Sequence, residues 1–219
     1  EVVDLVYDTA EAGWDRKELK VTLEGNDLGL VLRTVDAIRS VVSKVPSEAL
    51  VDFTNLIASL PRVYLIGAGR SGLVAKAFAM RLVHLGVKTF VVGETVTPAI
   101  REGDGFIAVS GSGRTTTVVD VTRLAKSRGS RVLGVTADRE SPLAELADFV
   151  LWVPSSLPQI PGGLEAFECR EVAGTPMRFP LGSLFEVVTL VVFETCVVLL
   201  MEKLGVSEAQ MAAVHTNLE

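Results

Sequence analysis

Five short apolar segments constrain the fold of this chain more than any other feature of its sequence. They occupy residues 63–66, 89–92, 106–109, 131–135 and 149–153, and turn residues or helical patterns separate them. Short apolar runs rich in β-branched residues indicate strands that are buried on both faces of a sheet. Strands that alternate with helices at this spacing predict the α/β class, with a five-stranded parallel sheet flanked by helices.

Helical patterns lie on both sides of this strand region. Apolar residues three and four positions apart predict a helix over 28–45, and Ser47 is expected to cap a second helix that Pro61 ends. Residues 184–204 are apolar nearly all round, which predicts a buried or interface helix rather than a membrane span. Residues 154–180 hold five of the nine prolines, so we expect a long irregular loop there. We predict a single domain over 28–219, with residues 1–27 as a peripheral arm.

A serine- and glycine-rich turn follows the third predicted strand. It contains Ser110, Gly111, Ser112 and Gly113, and Thr115 stands just before the next helical pattern. Glycines allow a tight turn, and the free N–H groups at the start of a helix attract anions. The segment therefore predicts a cradle for an anion, most often a phosphate. The simpler alternative is an ordinary turn before a capped helix.

A second glycine motif raises the alternative of a dinucleotide site. Residues 67–72 match G-x-G-x-x-G between a strand and a helix, and Glu94 lies where a ribose-binding carboxylate would be expected. Against this, Arg70 and Ser71 occupy the turn, and a single pyrophosphate leaves the second loop unexplained. Neither Ser71 nor Ser112 stands in a complete G-x-S-x-G motif, so a serine hydrolase is not indicated.

Composition argues against several further classes. The net charge of −6 argues against nucleic acid as a partner, because phosphate backbones need a basic face. The two cysteines and the two histidines match no metal-ligand spacing, so no metal site is predicted. No signal peptide is visible, and we expect a cytoplasmic protein with reduced thiols and no membrane partner.

Six motifs, taken together and in order, resemble the SIS (sugar isomerase) domain of the 6-phospho-3-hexuloisomerases. They are G-A-G-R-S-G at 67–72, F-A-M-R-L-V-H-L-G at 78–86, V-G-E-T-V-T-P at 92–98, S-G-S-G-R-T at 110–115, P-L-G-S-L-F-E at 180–186 and H-T-N-L-E at 215–219. The resemblance extends over residues 28–219. The first three motifs are specific to this family, whereas the fourth indicates only a phosphosugar site.

The resemblance implies a flavodoxin-like three-layer sandwich with additional helices at the N-terminal end. It also implies an isomerase that interconverts D-arabino-hex-3-ulose 6-phosphate and D-fructose 6-phosphate through a cis-enediolate, in the ribulose monophosphate pathway. Such a reaction requires no redox cofactor and no metal. We further expect a homotetramer, because the apolar helix over 184–204 needs a partner surface, and functional coupling to hexulose-phosphate synthase.

The resemblance also identifies the expected site residues. Glu186 opens an apolar helix, where desolvation would raise the pKa of its carboxyl, and the family match favours it as general base over an ordinary first-turn glutamate. His215 is similar to the family's terminal histidine and is expected to reach the site of a neighbouring subunit, whereas His84 is expected to be structural. The expected substrate-binding residues are Arg70, Ser71, Ser110, Gly111, Ser112, Gly113, Arg114 and Thr115.

A regulatory role is the alternative function. SIS domains also serve as phosphosugar sensors in transcription regulators, which bind DNA through a separate basic segment. No basic helix-turn-helix pattern precedes residue 28, and the chain is acidic. The presence of Glu186 and His215, the expected catalytic residues, also favours an enzyme over a regulatory sensor.

Overall fold

A five-stranded parallel sheet forms the centre of the protein. The computed structural model describes residues 27–155, 171–172, 175–178 and 183–215. The strands of the sheet are β1 (Val63–Gly67), β2 (Thr89–Val91), β3 (Gly105–Val109), β4 (Arg131–Thr136) and β5 (Phe149–Trp152). They lie in the order β2-β1-β3-β4-β5, and every neighbouring pair is parallel. The predicted fold class is therefore confirmed.

Helices cover both faces of this sheet. In chain order they are α1 (Asp27–Val42), α2 (Ser47–Ser59), α3 (Gly69–His84), α4 (Thr116–Ser127), α5 (Pro142–Leu146), α6 (Ser183–Leu204) and α7 (Glu208–Ala213). The helices α1, α2, α3, α6 and α7 share one apolar core with the sheet, and α4 and α5 share the other. The result is three layers, with the N-terminal helices added to the larger side.

Alternate residues of each strand supply these two cores. Leu65, Ile107 and Leu133 belong to the larger core, while Tyr64 and Phe106 belong to the smaller one. Successive side chains of a strand point to opposite faces of the sheet. Because helices or loops cover both faces, the strands appear in the sequence as continuous apolar runs rather than as alternating patterns.

A stack of aromatic rings joins three helices of the larger layer. Phe53 of α2, Phe78 of α3 and Phe193 of α6 lie against one another, and the ring centroids of Phe78 and Phe193 are 4.1 Å apart. All three side chains are almost completely buried. This stack fixes α6 beside α3, so that the two helices begin at the same edge of the sheet.

The apolar helix predicted over 184–204 is α6. Among the described residues it alone is long and apolar enough to span a membrane by length and composition, and half of its most apolar stretch is buried within the protein. Cys196 lies fully buried on this helix, and burial raises the pKa of its thiol to about 12. Leu190, Val191 and Val198 remain exposed and line an open groove. The helix is thus buried on one side and open on the other.

The capping prediction for α2 is wrong. Ser47 is already helical, and Pro46 occupies the N-cap position in an extended conformation, without any side-chain hydrogen bond. Proline has no side-chain oxygen, so this helix begins without the cap that serine would provide.

The apolar residues whose spacing predicts α1 pack against the core only towards the C-terminal end of the helix, where Ile38 and Val42 are partly buried. Val31, Leu32 and Val35 are each more than half exposed, whereas Ala37 and Val41 are buried. The C-terminal half of α1 lies against the larger core, and the apolar residues of its preceding turns are not covered by the described chain.

Two predictions concern segments outside the central sheet. The region expected to be an irregular loop contains a short antiparallel pair, β6 (Glu171–Val172) and β7 (Thr175–Arg178). The peripheral arm predicted for residues 1–27 lies outside the described residues except for Asp27.

Candidate active site

The strand order creates a crevice between the carboxyl ends of β1 and β3. These strands are neighbours, with Gly67 opposite Val109, but β1 leads through α3 to one side of the sheet and β3 leads through α4 to the other. Ligands of open α/β sheets bind at such a switch point. The two glycine-containing segments singled out in the sequence both leave the sheet there: residues 67–72 span the end of β1 and the first turn of α3, and residues 110–115 form the loop before α4.

The loop between β3 and α4 is held in a tight turn. Ser110 is buried, and its hydroxyl lies 3.1 Å from that of Thr115 at the far end of the loop. Gly113 donates its N–H to the Ser110 carbonyl over 3.0 Å and has a φ of +61°. A Cβ at this position would lie 2.0 Å from the Ser141 hydroxyl, so glycine is required for both conformation and space.

Among the residues that the structure describes, several donors of this turn have no protein partner. Within the described part of the chain, the backbone N–H groups of Gly111, Ser112 and Thr115 make no hydrogen bond. Thr115 is the N-cap residue of α4, and its side chain does not cap the helix. Free N–H groups at the positive end of a helix dipole suit a phosphate group. The loop therefore has the geometry of the predicted anion cradle.

Glu186 lies across the crevice, in the first turn of α6. Its side chain is 14% exposed, and its Oε2 atom lies 3.7 Å from the Nε atom of Arg70 at the start of α3. That distance exceeds a hydrogen bond, and Oε2 has no hydrogen-bond partner among the described residues. A buried carboxylate oxygen without a partner is costly for stability and is therefore a candidate for chemistry.

Burial also dominates the titration of this group. Desolvation raises the pKa of the Glu186 carboxyl, and its own backbone N–H, the Arg70 charge and the Ser71 hydroxyl oppose the shift only in part. An ordinary glutamate in the first turn of a helix would have a lowered pKa, because the dipole favours its charge. The observed direction is the one expected for a general base that works near neutral pH.

Arg70 and Ser71 complete the side of the crevice formed by α3. The Ser71 residue is buried, whereas the Arg70 side chain is 51% exposed and free to turn towards a bound anion. Glu94, the acidic residue of the dinucleotide alternative, forms an ion pair with Lys76 at 2.6 Å. This pairing leaves the carboxylate of Glu94 less suited to a ribose.

The remaining predicted residues lie farther from Glu186. The guanidinium of Arg114 is held at the rim by Asp138, over 2.9 Å, and by the Glu140 carbonyl. His215 contacts His84 at the opposite end of α3, with ring centroids 5.2 Å apart. A helix of this length separates them from the crevice by roughly 20 Å. Within one chain, therefore, the structure does not bring His215 to Glu186.

Two residues that support the loop at Gly111 were not predicted from the sequence. Thr136, at the end of β4, donates its hydroxyl to the Gly111 carbonyl over 3.2 Å. Phe185 packs directly on the Cα atom of Gly111. Phe185 had a local signal, since it precedes Glu186 in a motif of the family, but its contact with a loop more than 70 residues earlier had none.

Comparison with known proteins places this site in a family. The SIS domain family model matches residues 56–162, which include both loops and β1 to β5. The 3-hexulose-6-phosphate isomerase of Methylomonas aminofaciens is 41% identical over 165 residues, which cover 75% of this chain and 84% of that protein. The protein of the same name from Mycobacterium gastri is 38% identical over 194 residues, which cover 89% of this chain and 90% of that one.

A solved structure agrees with these relatives. It is that of a hypothetical protein from Methanococcus jannaschii, for which a function as 3-hexulose-6-phosphate isomerase has been inferred. The two folds superpose with a TM-score of 0.67 at 27% identity, over 88% of this chain and 98% of the other. The chain therefore belongs to the SIS domain family, within the group that contains the 3-hexulose-6-phosphate isomerases.

Proposed function

We propose that the protein is an isomerase that interconverts D-arabino-hex-3-ulose 6-phosphate and D-fructose 6-phosphate. Relatives of this name are 38% and 41% identical to the chain over most of its length. The observation that carries the proposal is the carboxylate of Glu186, which is largely buried and has no hydrogen-bond partner at Oε2 among the described residues. It lies across the crevice from a loop with three backbone N–H groups that make no hydrogen bond within the same part of the chain. A phosphosugar held by that loop would present its carbon chain to Glu186.

The reaction moves one proton between carbons and one between oxygens. With the phosphate in the cradle of residues 110–115, the Glu186 carboxylate removes the proton from C2 of the 3-ketose, and a cis-enediolate forms across C2 and C3. Return of the proton to C3 leaves the ketone at C2, while the hydroxyl proton passes from O2 to O3. A single base can serve both carbons, because they are adjacent. No electron acceptor and no metal enters this balance.

Two side chains at the entrance assist in this scheme. Arg70 turns from Glu186 to the phosphate, since it is half exposed and makes only a 3.7 Å ion pair in the described structure. The buried Ser71 stays beside the carboxylate and orients it. Arg114 remains a proposed contact of either the anion or a neighbouring subunit.

His215 requires a second subunit in this proposal. The apolar residues Met80 and Val83 of α3 and Leu190, Val191 and Val198 of α6 are exposed on neighbouring helices. A homotetramer would cover them and would bring His215 of one subunit to the Glu186 of another, where it relays the oxygen proton. We extend the proposal to the cytoplasmic ribulose monophosphate pathway, where the enzyme acts with hexulose-phosphate synthase.

The sharing of sites can be tested by mixing two inactive variants. Glu186→Gln and His215→Ala are unfolded together and refolded together. Shared sites restore activity at those interfaces that contain both intact residues, whereas sites built within one chain leave the mixture inactive. Each variant refolded alone is the control.

The function itself is tested with the wild-type protein in EDTA and without nucleotide. We expect conversion of hexulose 6-phosphate to fructose 6-phosphate, together with exchange of the C2 proton in deuterated water. Binding of both sugars without conversion or exchange would overturn the proposal in favour of a phosphosugar-sensing module. Dependence of the conversion on added nicotinamide nucleotide would support the dinucleotide alternative.

A further inference from the structure

The helix that carries Glu186 begins in direct contact with the phosphate loop. The side chain of Phe185 is 1% exposed, and its ring lies over the Cα atom of Gly111. A Cβ at position 111 would lie 2.9 Å from Cδ1 and 3.0 Å from Cγ of that ring. The ring therefore fills the space where any other residue's side chain would begin, and loop and helix touch without a gap.

The loop is also supported from its other side. The Gly111 carbonyl accepts hydrogen bonds from the Ala137 N–H, over 3.0 Å, and from the Thr136 hydroxyl, over 3.2 Å. Both donors belong to the end of β4 and the residue after it. Gly111 is thus held between the sheet and Phe185, so a shift of the ring cannot be absorbed by retreat of the loop.

Helix geometry transmits this contact to the next residue. Consecutive side chains of a helix differ by about 100° in direction. Because Phe185 faces the phosphate loop, Glu186 faces the start of α3. There the carboxylate meets Arg70 at 3.7 Å, with no hydrogen bond to Oε2 among the described residues. Packing of Phe185 therefore fixes the direction in which the Glu186 side chain leaves α6, while the Ser71 hydroxyl acts on the carboxyl itself.

We propose that Phe185 is a positioning residue, which holds the Glu186 carboxylate at a fixed distance from the phosphate loop through its contact with Gly111. This inference rests on the proposed function, because it assumes that Glu186 acts on a sugar whose phosphate the loop binds. The phosphate and the base are then parts of one packed unit. Proton transfer is sensitive to such placement, since a displacement of about 1 Å can cost about 100-fold in rate.

The test compares two phenylalanines of the same helix. Phe185→Leu is expected to lower kcat by between about 10-fold and 100-fold, while the affinity for fructose 6-phosphate, measured by calorimetry, changes far less. Phe193→Leu is the matched control. Phe193 is equally buried at 1% and lies about two turns further along α6, stacked on Phe78. We expect this control to lose stability to denaturant but to retain its kcat.

A second readout separates positioning from general damage to the fold. In the Glu186→Gln background, Phe185→Leu should leave the residual rate unchanged, because no base remains to be placed. Should Phe185→Leu not fold, Phe185→Met and Phe193→Met, whose flexible side chains fill an irregular space more readily, replace the pair.

The outcomes distinguish the inference from the function on which it rests. Equal kcat values for the Phe185 and Phe193 variants, or a further loss of rate in the Glu186→Gln background, would overturn the positioning role alone. Retention of the full wild-type rate by Glu186→Gln would overturn the proposed function instead.

Discussion

Two carboxylates at opposite edges of the sheet differ in how completely they are bonded. Asp104, just before β3, accepts hydrogen bonds from Arg62 at 2.9 Å and 2.5 Å and from the Arg101 N–H at 2.7 Å. Its side chain is 3% exposed. Glu186, at the carboxyl edge, is nearly as buried, but its Oε2 atom has only a 3.7 Å ion pair with Arg70.

The difference shows what each edge of the sheet provides. At the amino edge, a fully bonded carboxylate ties β1 to the turn that enters β3, which is a structural task. At the carboxyl edge, an incompletely bonded carboxylate is kept basic and available, at some cost to stability. Glu186 and Asp104 can therefore be compared by what their substitution does to the rate of the reaction and to the free energy of unfolding.

The largest expected effect is on the rate of the Glu186→Gln variant. Loss of a proton-transfer group should lower kcat by about 10³-fold, while affinity for fructose 6-phosphate changes little. Steady-state kinetics and calorimetry provide the measurements. Glu202→Gln is the control on the same helix, since Glu202 is exposed and lies near the C-terminal end of α6, far from the crevice. A similar loss of rate in both variants would contradict the contrast between the two carboxylates.

The opposite pattern is expected at the amino edge. Asp104→Asn removes the charge that pairs with Arg62 and should lower the free energy of unfolding. The rate at saturating substrate should stay close to that of the wild type. Denaturant unfolding and kcat are measured on the same preparation. A variant that loses rate but not stability would show that the two edges are not divided in this way.

A smaller effect is expected for the cradle. Ser112→Ala removes a hydroxyl from the loop, and a hydrogen bond to a charged group contributes about 1.5–3 kcal/mol. Affinity for hexulose 6-phosphate and for fructose 6-phosphate should therefore fall together, by between about 10-fold and about 150-fold. Ser127→Ala, at the far end of α4, is the control, because its hydroxyl is exposed and donates to the Leu124 carbonyl of its own helix. Unchanged calorimetric affinities for both sugars would remove Ser112 from the cradle.

The smallest expected effects concern pH. Because the Glu186 carboxyl has a raised pKa and must be ionised to act, kcat/KM should fall as the pH drops through that raised value. Its contribution to stability has the opposite sign, being present below the unfolded-state pKa and lost as the pH rises through the folded-state pKa. The wild type should therefore lose stability relative to Glu186→Gln as the pH rises.

A variant of Arg70 refines the same measurement. Arg70→Gln removes a charge that lowers the pKa of Glu186, so the acidic limb of the kcat/KM profile should move to higher pH. A limb that stays in place in this variant, or that persists in Glu186→Gln, would assign the titration to another group.

The sequence was sufficient where the determining contacts are local. Continuous apolar runs identified all five strands of the sheet, because both of its faces are covered. The cap of α5 is likewise local, since the Ser141 hydroxyl accepts from the Ala144 N–H and Pro142 stands in the first turn. The cradle lies within six consecutive residues, and its turn follows from its glycines and hydroxyls.

The remainder depends on contacts between distant parts of the chain. Periodicity alone could not show that Val31 and Val35 stay exposed, because it does not reveal what covers a helix face. The side chain of Arg114 bonds to Asp138, which lies 24 residues later, and neither segment alone predicts this pair. The roles assigned to Glu186 and His215 remain predictions that the proposed experiments test.

The buried thiol of Cys196 makes the packing of α6 measurable in solution. Its pKa of about 12 leaves almost no thiolate at neutral pH, and its full burial excludes reagents from the folded protein. With Cys169 replaced by serine, the rate of alkylation would report how often α6 separates from the core, as amide exchange does for a single N–H. Since the same helix carries Glu186, labelling in the presence and absence of fructose 6-phosphate would show whether an occupied crevice keeps that helix closed.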